Sequence, residues 1–293
     1  MTDFEILDAG LLARFPLPHH PEDSGKEDRG RLLVVAGSRE LPGAALLAGV
    51  GALRAGAGKL QIATARSVAV QLGIAVPEAR VIGHDETEDG CIAEEGIAPL
   101  VGWAEKAQAV MVGCGLRQGP PLEKLLDALL GCGAEIPLVL DAAALGCLDK
   151  RVEAARARRG GTVVLPHAGE AAGLLGTTRE AVEADPLAAA RTASERFGAV
   201  AVIKGRYSFI VAPDGRAFRF EGGGVGLATS GSGDALAGIV GGLCARGADP
   251  LTAALWGVWL HGEAGRRLSR QVGRVGFLAR ELLDEVPRLL EGG

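Results

Sequence analysis

Short, continuous apolar runs alternate along this chain with longer segments rich in Ala, Leu and Gly. An apolar run of about four to eight residues that ends at a turn residue is typical of a strand buried on both faces. Such runs predict strands at Arg31–Ala36, Leu60–Thr64, Ala109–Val112, Leu138–Asp141, Gly161–Leu165 and Ala199–Lys204, and a hairpin at Ser208–Ala212 and Ala217–Phe220. The longer segments predict helices at Leu41–Gly58, Pro120–Leu130, Asp234–Arg246, Leu251–Leu268 and Phe277–Leu290, and one within Ala181–Phe197.

Strands that alternate with helices predict a parallel sheet covered by helices on both faces. The expected fold class is therefore α/β, with three layers (α/β/α) and a central, mostly parallel sheet. No change in composition marks a linker, so we expect residues 1–293 to form a single domain. Residues 1–30 are polar and rich in Pro and His, and we expect them to form an N-terminal arm that drapes over the body.

Glycine and polar residues repeatedly follow the predicted strands. In open parallel sheets, ligands bind beyond the carboxyl ends of the strands. One site is therefore expected where these ends meet. It would be formed by Gly37-Ser38, Gly113–Gly115, Asp141, His167, Lys204-Gly205 and the turn at Gly231.

The segment Gly222–Gly247 contains a glycine-rich turn followed by a run of small apolar residues that predicts a buried helix. Gly231 and Gly233 let the backbone approach a ligand closely, and a helix N-terminus directs free N–H groups at anions. This pattern predicts a phosphate site. Asp234 lies within it, where a carboxylate suits the removal of a proton from a hydroxyl. The alternative is that Asp234 only caps the helix.

Composition excludes several classes of function. The formal net charge is −5 and no long run of Lys and Arg occurs, which argues against nucleic acid and anionic membranes as partners. No apolar run is long enough to span a bilayer, and the N-terminus lacks a signal pattern, so we expect a cytoplasmic protein. An odd number of cysteines, without a Cys-x-x-Cys pair, favours neither disulfides nor zinc. Cys114, between two glycines, is expected to be a buried core thiol.

An ordered series of motifs covers most of the chain from about residue 30 to 290. The motifs are GSRELPGAALLAGVGALRAGAGKL, MVGCGL, VLDAAAL, VLPHAGEAAGLLG, VIKGRYSFIVAPDGR and GLATSGSGDALAGI. The series resembles that of the ADP/ATP-dependent NAD(P)H-hydrate dehydratases, a metabolite-repair family with the ribokinase-like fold. The resemblance implies removal of the water that has added to the ring of a reduced nicotinamide nucleotide, by phosphorylation of the 6-hydroxyl and elimination of phosphate.

The resemblance implies roles for individual residues. Asp234 would take the proton from the hydroxyl of the hydrate, and Gly231, Ser232 and Gly233 would donate N–H groups to the transferring phosphoryl. The resemblance also implies ADP or ATP as co-substrate and a homotetramer. Phosphoryl transfer itself predicts Mg²⁺, although the sequence shows no dedicated cluster of ligand residues. The substrate contacts implied are Ala44, Gly115, His167 and Asp234; the nucleotide contacts implied are Lys204, Gly205, Arg206, Tyr207, Ser208 and Gly233.

Two departures from the family pattern keep alternatives open. Ala143 stands where the family commonly has Asp, and Gly224-Val225 replaces an Asn-Pro pair. A small-molecule kinase of the same fold, acting on a sugar, thiazole or pyrimidine alcohol, would use the same Asp234. A catalytically weak nucleotide-binding protein is the third hypothesis. The residues do not decide between ADP and ATP, or between the hydrates of NADH and NADPH.

Overall fold

Ten strands form one sheet in the computed structural model, which describes residues 3–133 and 135–291. The strands are β1 (Glu5–Ile6), β2 (Arg31–Val35), β3 (Lys59–Ala65), β4 (Ala79–His84), β5 (Ala109–Val112), β6 (Leu138–Leu140), β7 (Thr162–Val164), β8 (Val200–Ile203), β9 (Ser208–Val211) and β10 (Ala217–Phe220). Their order is β1-β10-β9-β8-β7-β6-β5-β2-β3-β4. Only β9 runs antiparallel to its neighbours, so the predicted, mostly parallel sheet is confirmed.

Thirteen helices are described. They are α1 (Ala9–Leu12), α2 (Pro42–Arg54), α3 (Arg66–Ala75), α4 (Ile97–Ala104), α5 (Pro120–Gly131), α6 (Ala143–Gly146), α7 (Val152–Arg156), α8 (Ala168–Leu175), α9 (Arg179–Ala184), α10 (Pro186–Phe197), α11 (Ser232–Ala245), α12 (Pro250–Gln271) and α13 (Ala279–Glu291). Four of them begin with proline, whose fixed φ and missing N–H suit the first helical position.

Side chains of β2 show how the sheet separates two cores. Leu32 and Val34 pack into a core shared with α2, α11 and α12, whereas Leu33 and Val35 pack into a second core shared with α5 and α10. All four are fully buried. A strand buried on both faces reads as a continuous apolar run because successive side chains point in opposite directions.

Several predicted boundaries were wrong for identifiable reasons. The helix expected over Leu41–Gly58 ends at Arg54, because Gly56 turns the chain with φ +99°. The helix predicted within Ala181–Phe197 is α10; α9, which was not predicted, ends in the same region where Asp185 precedes Pro186. α3, α4 and β4 were missed. Two apolar residues of α3 face solvent and β4 is only partly buried, so neither has the pattern of a core element.

The described part of the N-terminal segment does more than lie on the surface. β1 pairs with β10 and extends the sheet, with Glu5 opposite Phe218. Leu11 and Leu12 of α1 are buried in the core beside α12. Asp8 caps α1 by accepting a hydrogen bond from the Leu11 N–H at 2.8 Å. The segment is thus partly built into the body.

The backbones of α2 and α11 touch. A Cβ on Gly238 would overlap the carbonyl oxygen of Ala48, and one on Gly242 would lie 2.5 Å from the carbonyl oxygen of Ala52. On the opposite helix, a Cβ on Gly51 would lie 2.9 Å from the carbonyl oxygen of Ala235. Such approach is possible only without side chains, which explains the small residues of both helices.

We predict that Gly238→Ala lowers the free energy of unfolding by about 2 kcal/mol or more, because the added methyl overpacks a backbone contact. Gly173→Ala is the matched control, since Gly173 lies in an exposed part of α8 and its Cβ would meet nothing within 4 Å. That control should gain up to ~1 kcal/mol from helix propensity. Urea denaturation measures both variants; equal effects would contradict the proposed packing.

Candidate active site

The carboxyl ends of the central strands bring most of the predicted site residues together. Lys204 follows β8 and donates from Nζ to Oδ1 of Asp141, at the end of β6, over 2.7 Å. A Cβ on Gly233 would lie 3.4 Å from this Nζ and 3.6 Å from Oδ2 of Asp141. The N-terminus of α11 therefore rests directly over the Lys204–Asp141 pair, and the absence of a side chain at Gly233 leaves room for it.

A second group of predicted residues lies at the ends of β2 and β5. Gly115 has φ +67°, and a Cβ there would lie 2.7 Å from the Cβ of Ala44 and 3.2 Å from the Cα of Gly37. Ala44 belongs to the first turn of α2. Gly115 and Ala44, which the resemblance assigns to the substrate, are thus in contact with each other.

The turn before α11 offers free N–H groups to an anion. Gly231 is the N-cap residue, with φ +85°. The N–H of Ser232 donates to the carbonyl of Thr229 at 3.2 Å and is used within the turn. Among the described residues, the N–H groups of Gly233 and Asp234 have no acceptor. These two groups, at the positive end of the helix dipole, remain available to a phosphoryl group.

Asp234 is the third residue of α11 and not its N-cap residue. The hypothesis that it only caps the helix as the N-cap residue is therefore wrong. Burial raises the pKa of Asp234; Cys114 and Lys204 act in the opposite direction, and Glu170 adds to the rise. A carboxylate with a raised pKa is a stronger base, as general base catalysis near neutral pH requires.

Lys204 lies among carboxylates. Besides Asp141, its Nζ approaches Oε2 of Glu170 at 4.0 Å, and the side chains of Lys204 and Asp141 are only 18% and 3% exposed. Burial raises the pKa of Asp141 although Lys204 opposes the rise. Burial alone lowers the pKa of Lys204, but the attraction of Asp141 and Glu170 outweighs it and raises this pKa. Lys204 therefore carries its charge in the native protein.

His167 is the N-cap residue of α8. Its Nδ1 accepts hydrogen bonds from the N–H groups of Gly169, at 3.0 Å, and Glu170, at 3.2 Å, while Glu170 accepts the N–H of His167 at 2.9 Å. This capping box begins α8. Because Nδ1 accepts, the ring proton lies on Nε2. The side chain is still 60% exposed, so Nε2 can donate to a ligand.

The other predicted nucleotide contacts lie on the turn between β8 and β9. Gly205, Arg206 and Tyr207 are exposed and Ser208 is half-buried. The guanidinium of Arg206 lies 5.4 Å from the centre of the Tyr207 ring. The turn thus presents a cation and an aromatic ring to solvent, whereas Lys204 points inward from its base.

Sequence reasoning missed or undervalued three features. His261 on α12 was not predicted; its Nε2 lies 2.9 Å from Oγ of Ser232, and burial lowers its pKa to about 4. Cys114 contacts Asp141. Ala142, next to the altered Ala143, has φ +49° and is the only non-glycine residue with positive φ in the described ranges. Such a conformation costs about 1–3 kcal/mol and concentrates at functional sites.

A cavity of about 260 Å³ opens beside this site. Its wall includes Leu116 and Arg117, which follow Gly115 directly, and Thr87 and Asp89 from the loop after β4. Like the site itself, this cavity lies beyond the carboxyl ends of parallel strands.

Within residues 3–133 and 135–291, no group of three or more His, Cys, Asp or Glu side chains is placed to hold a metal ion. Over the same ranges, no helix has the length and apolar character needed to cross a membrane.

Comparison with known proteins decides the family. Residues 32–288 match the family model described as NAD(P)H-hydrate dehydratase. The chain belongs to this family. The ADP-dependent (S)-NAD(P)H-hydrate dehydratase of Xanthomonas campestris is 45% identical over 283 residues, which are 97% of this chain and 95% of that protein. The resemblance seen in the motifs is confirmed.

Solved structures agree with this membership in the NAD(P)H-hydrate dehydratase family. The ADP/ATP-dependent NAD(P)H-hydrate dehydratase of Bacillus subtilis, crystallised with ATP and Mg²⁺, superposes with a TM-score of 0.83 at 30% identity, covering 100% of this chain and 99% of that chain. A ribokinase-like protein from Enterococcus faecalis gives a TM-score of 0.84 at 24% identity over 100% and 97% of the chains. The ribokinase-like fold is confirmed.

We predict that Lys204→Met destabilises the protein by about 3–5 kcal/mol at neutral pH, because Asp141 becomes an unpaired buried charge. Loss of the ammonium raises the folded-state pKa of Asp141 further, so this loss of stability should shrink as the pH falls through that raised pKa towards the ordinary aspartate value of about 4, below which the carboxyl is protonated in both states. Lys204→Met combined with Asp141→Asn should recover much of the loss. Urea denaturation at two pH values tests this; a pH-independent loss would refute the account.

Proposed function

We propose that this protein removes water from the (S)-hydrate of NADH or NADPH, using ADP as phosphoryl donor and releasing AMP and phosphate. The observation that carries the proposal is the carboxylate of Asp234 beside two N–H groups without acceptors at the start of α11. A base and an anion site in contact suit phosphoryl transfer to a hydroxyl.

The reaction has two stages. In the first stage, Asp234 takes the proton of the 6-hydroxyl while the hydroxyl oxygen attacks the terminal phosphorus of ADP. The bond from that phosphorus to the bridging oxygen breaks, and AMP leaves. The ring nitrogen then donates its lone pair, the carbon–oxygen bond breaks and phosphate departs. Loss of a proton from the adjacent ring carbon restores the double bond. Phosphorylation is needed because hydroxide is a poor leaving group.

The N–H groups of Gly233 and Asp234 would stabilise the charge that develops on the transferring phosphoryl. Gly231 supports this role by its left-handed conformation, which turns the chain into the helix. Ser232 would contribute mainly through its hydroxyl, which His261 holds, because its N–H is used by Thr229.

The nucleotide would bind along the β8–β9 turn. Arg206 and Tyr207 would contact its exposed part, and Lys204 would supply positive charge beneath the phosphates. Magnesium is usually held by one or two carboxylates together with substrate phosphates. Asp141 is occupied by Lys204, whereas the half-buried Glu170 fits the role of a single protein carboxylate for an ion carried by the nucleotide. Such an ion would offset the charge of the phosphates.

The hydrated ring would bind against Ala44 and Gly115, on the side of Asp234 away from the β8–β9 turn. His167 follows β7 and forms a bridge with Lys204, so its Nε2 would reach the ligand from the nucleotide side. The cavity beyond Leu116 gives space for the remaining part of the dinucleotide. The order of strands supports this arrangement, since β8 and β9 lie on one side of β6, and β5 and β2 on the other.

A small-molecule kinase of the same fold is the alternative, and it would use the same base. The near full-length relative from Xanthomonas campestris favours the dehydratase. The dehydratase and the kinase could each use ATP in place of ADP. Assembly as a homotetramer and location in the cytoplasm stay predictions from the sequence.

We predict that Asp234→Asn lowers kcat by about 10² to 10⁴-fold, the usual contribution of a general base, while nucleotide binding persists. The assay follows the near-ultraviolet absorbance of the reduced nicotinamide ring after hydrated NADH, Mg²⁺ and ADP are mixed. Calorimetry with ADP measures binding. A variant that keeps wild-type turnover would disprove the role of Asp234, and wild-type protein without nucleotide-dependent turnover would disprove the dehydratase function.

A further inference from the structure

A row of cationic and aromatic side chains crosses the edge of the sheet at β1, β10 and β9. Arg219 lies opposite Phe209 in the β9–β10 ladder and opposite Ile6 in the β1–β10 ladder. Tyr207 precedes Phe209 by two residues, a spacing that places two side chains on the same face, and diagonal neighbours on adjacent strands are within reach of long side chains. Accordingly, the guanidinium of Arg219 lies 5.3 Å from the centre of the Tyr207 ring and 4.6 Å from that of the Phe4 ring.

Arg219 is fixed by contacts other than the one with Tyr207. The carboxylate of Glu221 forms an ion pair with its guanidinium. Its Nε is buried without a hydrogen-bond partner in the described ranges, as expected for a guanidinium covered by aromatic rings. Phe4 in turn packs edge-on against Phe209, with the ring centres 5.6 Å apart. Arg219 is therefore anchored both to the sheet and to the N-terminal segment.

Tyr207 has a second cation beside it, in different surroundings. The guanidinium of Arg206 lies 5.4 Å from the centre of the ring, and Arg206 is exposed. Tyr207 itself is 41% exposed. Because Arg219 is anchored whereas Arg206 is exposed to solvent, a flat ligand can replace Arg206 on the ring while Arg219 stays in place. Aromatic side chains bind nucleobases in this way, by stacking.

The ring of Tyr207 belongs to a turn that begins at the proposed phosphate site. The first residue of this turn is Lys204, whose Nζ would lie 3.4 Å from a Cβ on Gly233 at the N-terminus of α11. A nucleotide with its phosphates at this helix terminus can extend its ribose and base along the turn. Tyr207 is the one aromatic residue between Lys204 and Ser208, so it is the side chain on which the base can stack.

We propose that Arg219 is a positioning residue for the nucleotide: anchored by Phe4 and Glu221, it holds the ring of Tyr207 so that the base of ADP stacks on it. This inference rests on the proposed nucleotide site at the β8–β9 turn. It assigns the N-terminal segment a part in nucleotide affinity, although the segment supplies no contact to the nucleotide itself.

The test compares Arg219→Met, which keeps the apolar stem and removes the cation, with Arg219→Lys, which keeps a cation. Tyr207→Leu removes the stacking surface itself. Arg216→Met is the matched control, because the Arg216 guanidinium also lies beside an aromatic ring, 5.8 Å from the centre of Phe15, but outside the turn. Calorimetry gives the Kd for ADP, and turnover of hydrated NADH with Mg²⁺ separates KM for ADP from kcat. Thermal denaturation of every variant separates loss of stability from loss of binding.

For Arg219→Met, we expect Kd and KM for ADP to rise about two- to fivefold with kcat little changed, as the loss of one cation–π contact predicts. Arg219→Lys should recover part of this loss. Tyr207→Leu should raise Kd about fivefold or more, because base stacking is lost. Arg219→Met added to Tyr207→Leu should cost little further, since both act through one ring. An unchanged Kd in Arg219→Met, an equal rise in Arg216→Met, or fully additive effects would overturn the proposal.

A second measurement does not depend on turnover. Tyr207 is the only tyrosine of the chain, so carbon NMR of ring-labelled tyrosine reports on it without assignment. ADP should shift this signal, pyrophosphate, which has no base, should not, and the shift with ADP should be smaller in Arg219→Met.

The outcomes distinguish this inference from the proposed reaction. ADP that binds without shifting the Tyr207 signal refutes the stacking role, even if hydrated NADH is turned over. A shift that depends on Arg219 supports the role, even if hydrated NADH is not the substrate. Failure of ADP to bind at all refutes both.

Discussion

The contact of the α2 and α11 backbones is the constraint on which the rest of the site depends. Gly238, Gly242 and Gly51 let the two helices meet without intervening side chains. α2 carries Ala44, and α11 carries Asp234 at its first turn. Because neither helix can move away without losing a close-packed interface, the separation between the proposed substrate surface and the proposed base is set by packing. Leu47 of α2 also lies directly against Gly231, which fixes the turn before α11.

The ammonium of Lys204 is the positive charge shared by the carboxylates of Asp141, Glu170 and Asp234. Lys204 is paired with Asp141 and approaches Glu170. Burial raises the pKa of Asp234, and the charge of Lys204 opposes this rise only in part. Burying these groups opposes folding, and the positive φ of Ala142 beside Asp141 adds strain. The buried charges and the strained backbone both lie at the proposed active site. The two packed cores on either side of the sheet stabilise the fold against them.

The central strands and the turn before α11 could be predicted because each leaves a local signal. β2 and β5 are continuous apolar runs, and Gly231 precedes a helix of small residues. α3 and β4 could not be predicted, because partly exposed elements at a sheet edge lack a core pattern. The contacts of His261 with Ser232 and of Cys114 with Asp141 join residues far apart in sequence, so they could not be predicted either. The use of the Ser232 N–H by Thr229 is a matter of turn geometry, which residue types alone do not specify.

The pairing of β1 with β10 has a consequence for the order in which the chain folds during synthesis. β1 is made before the other nine strands of the sheet, yet its partner β10 is made last of the ten, since Glu5 pairs with Phe218. Until β10 is made, β1 has no neighbouring strand, and Leu11 and Leu12 lack most of the core in which they are buried. Closing such a long loop carries an entropic penalty that falls late. The first strand of the sheet to be made is therefore among the last to reach its native position.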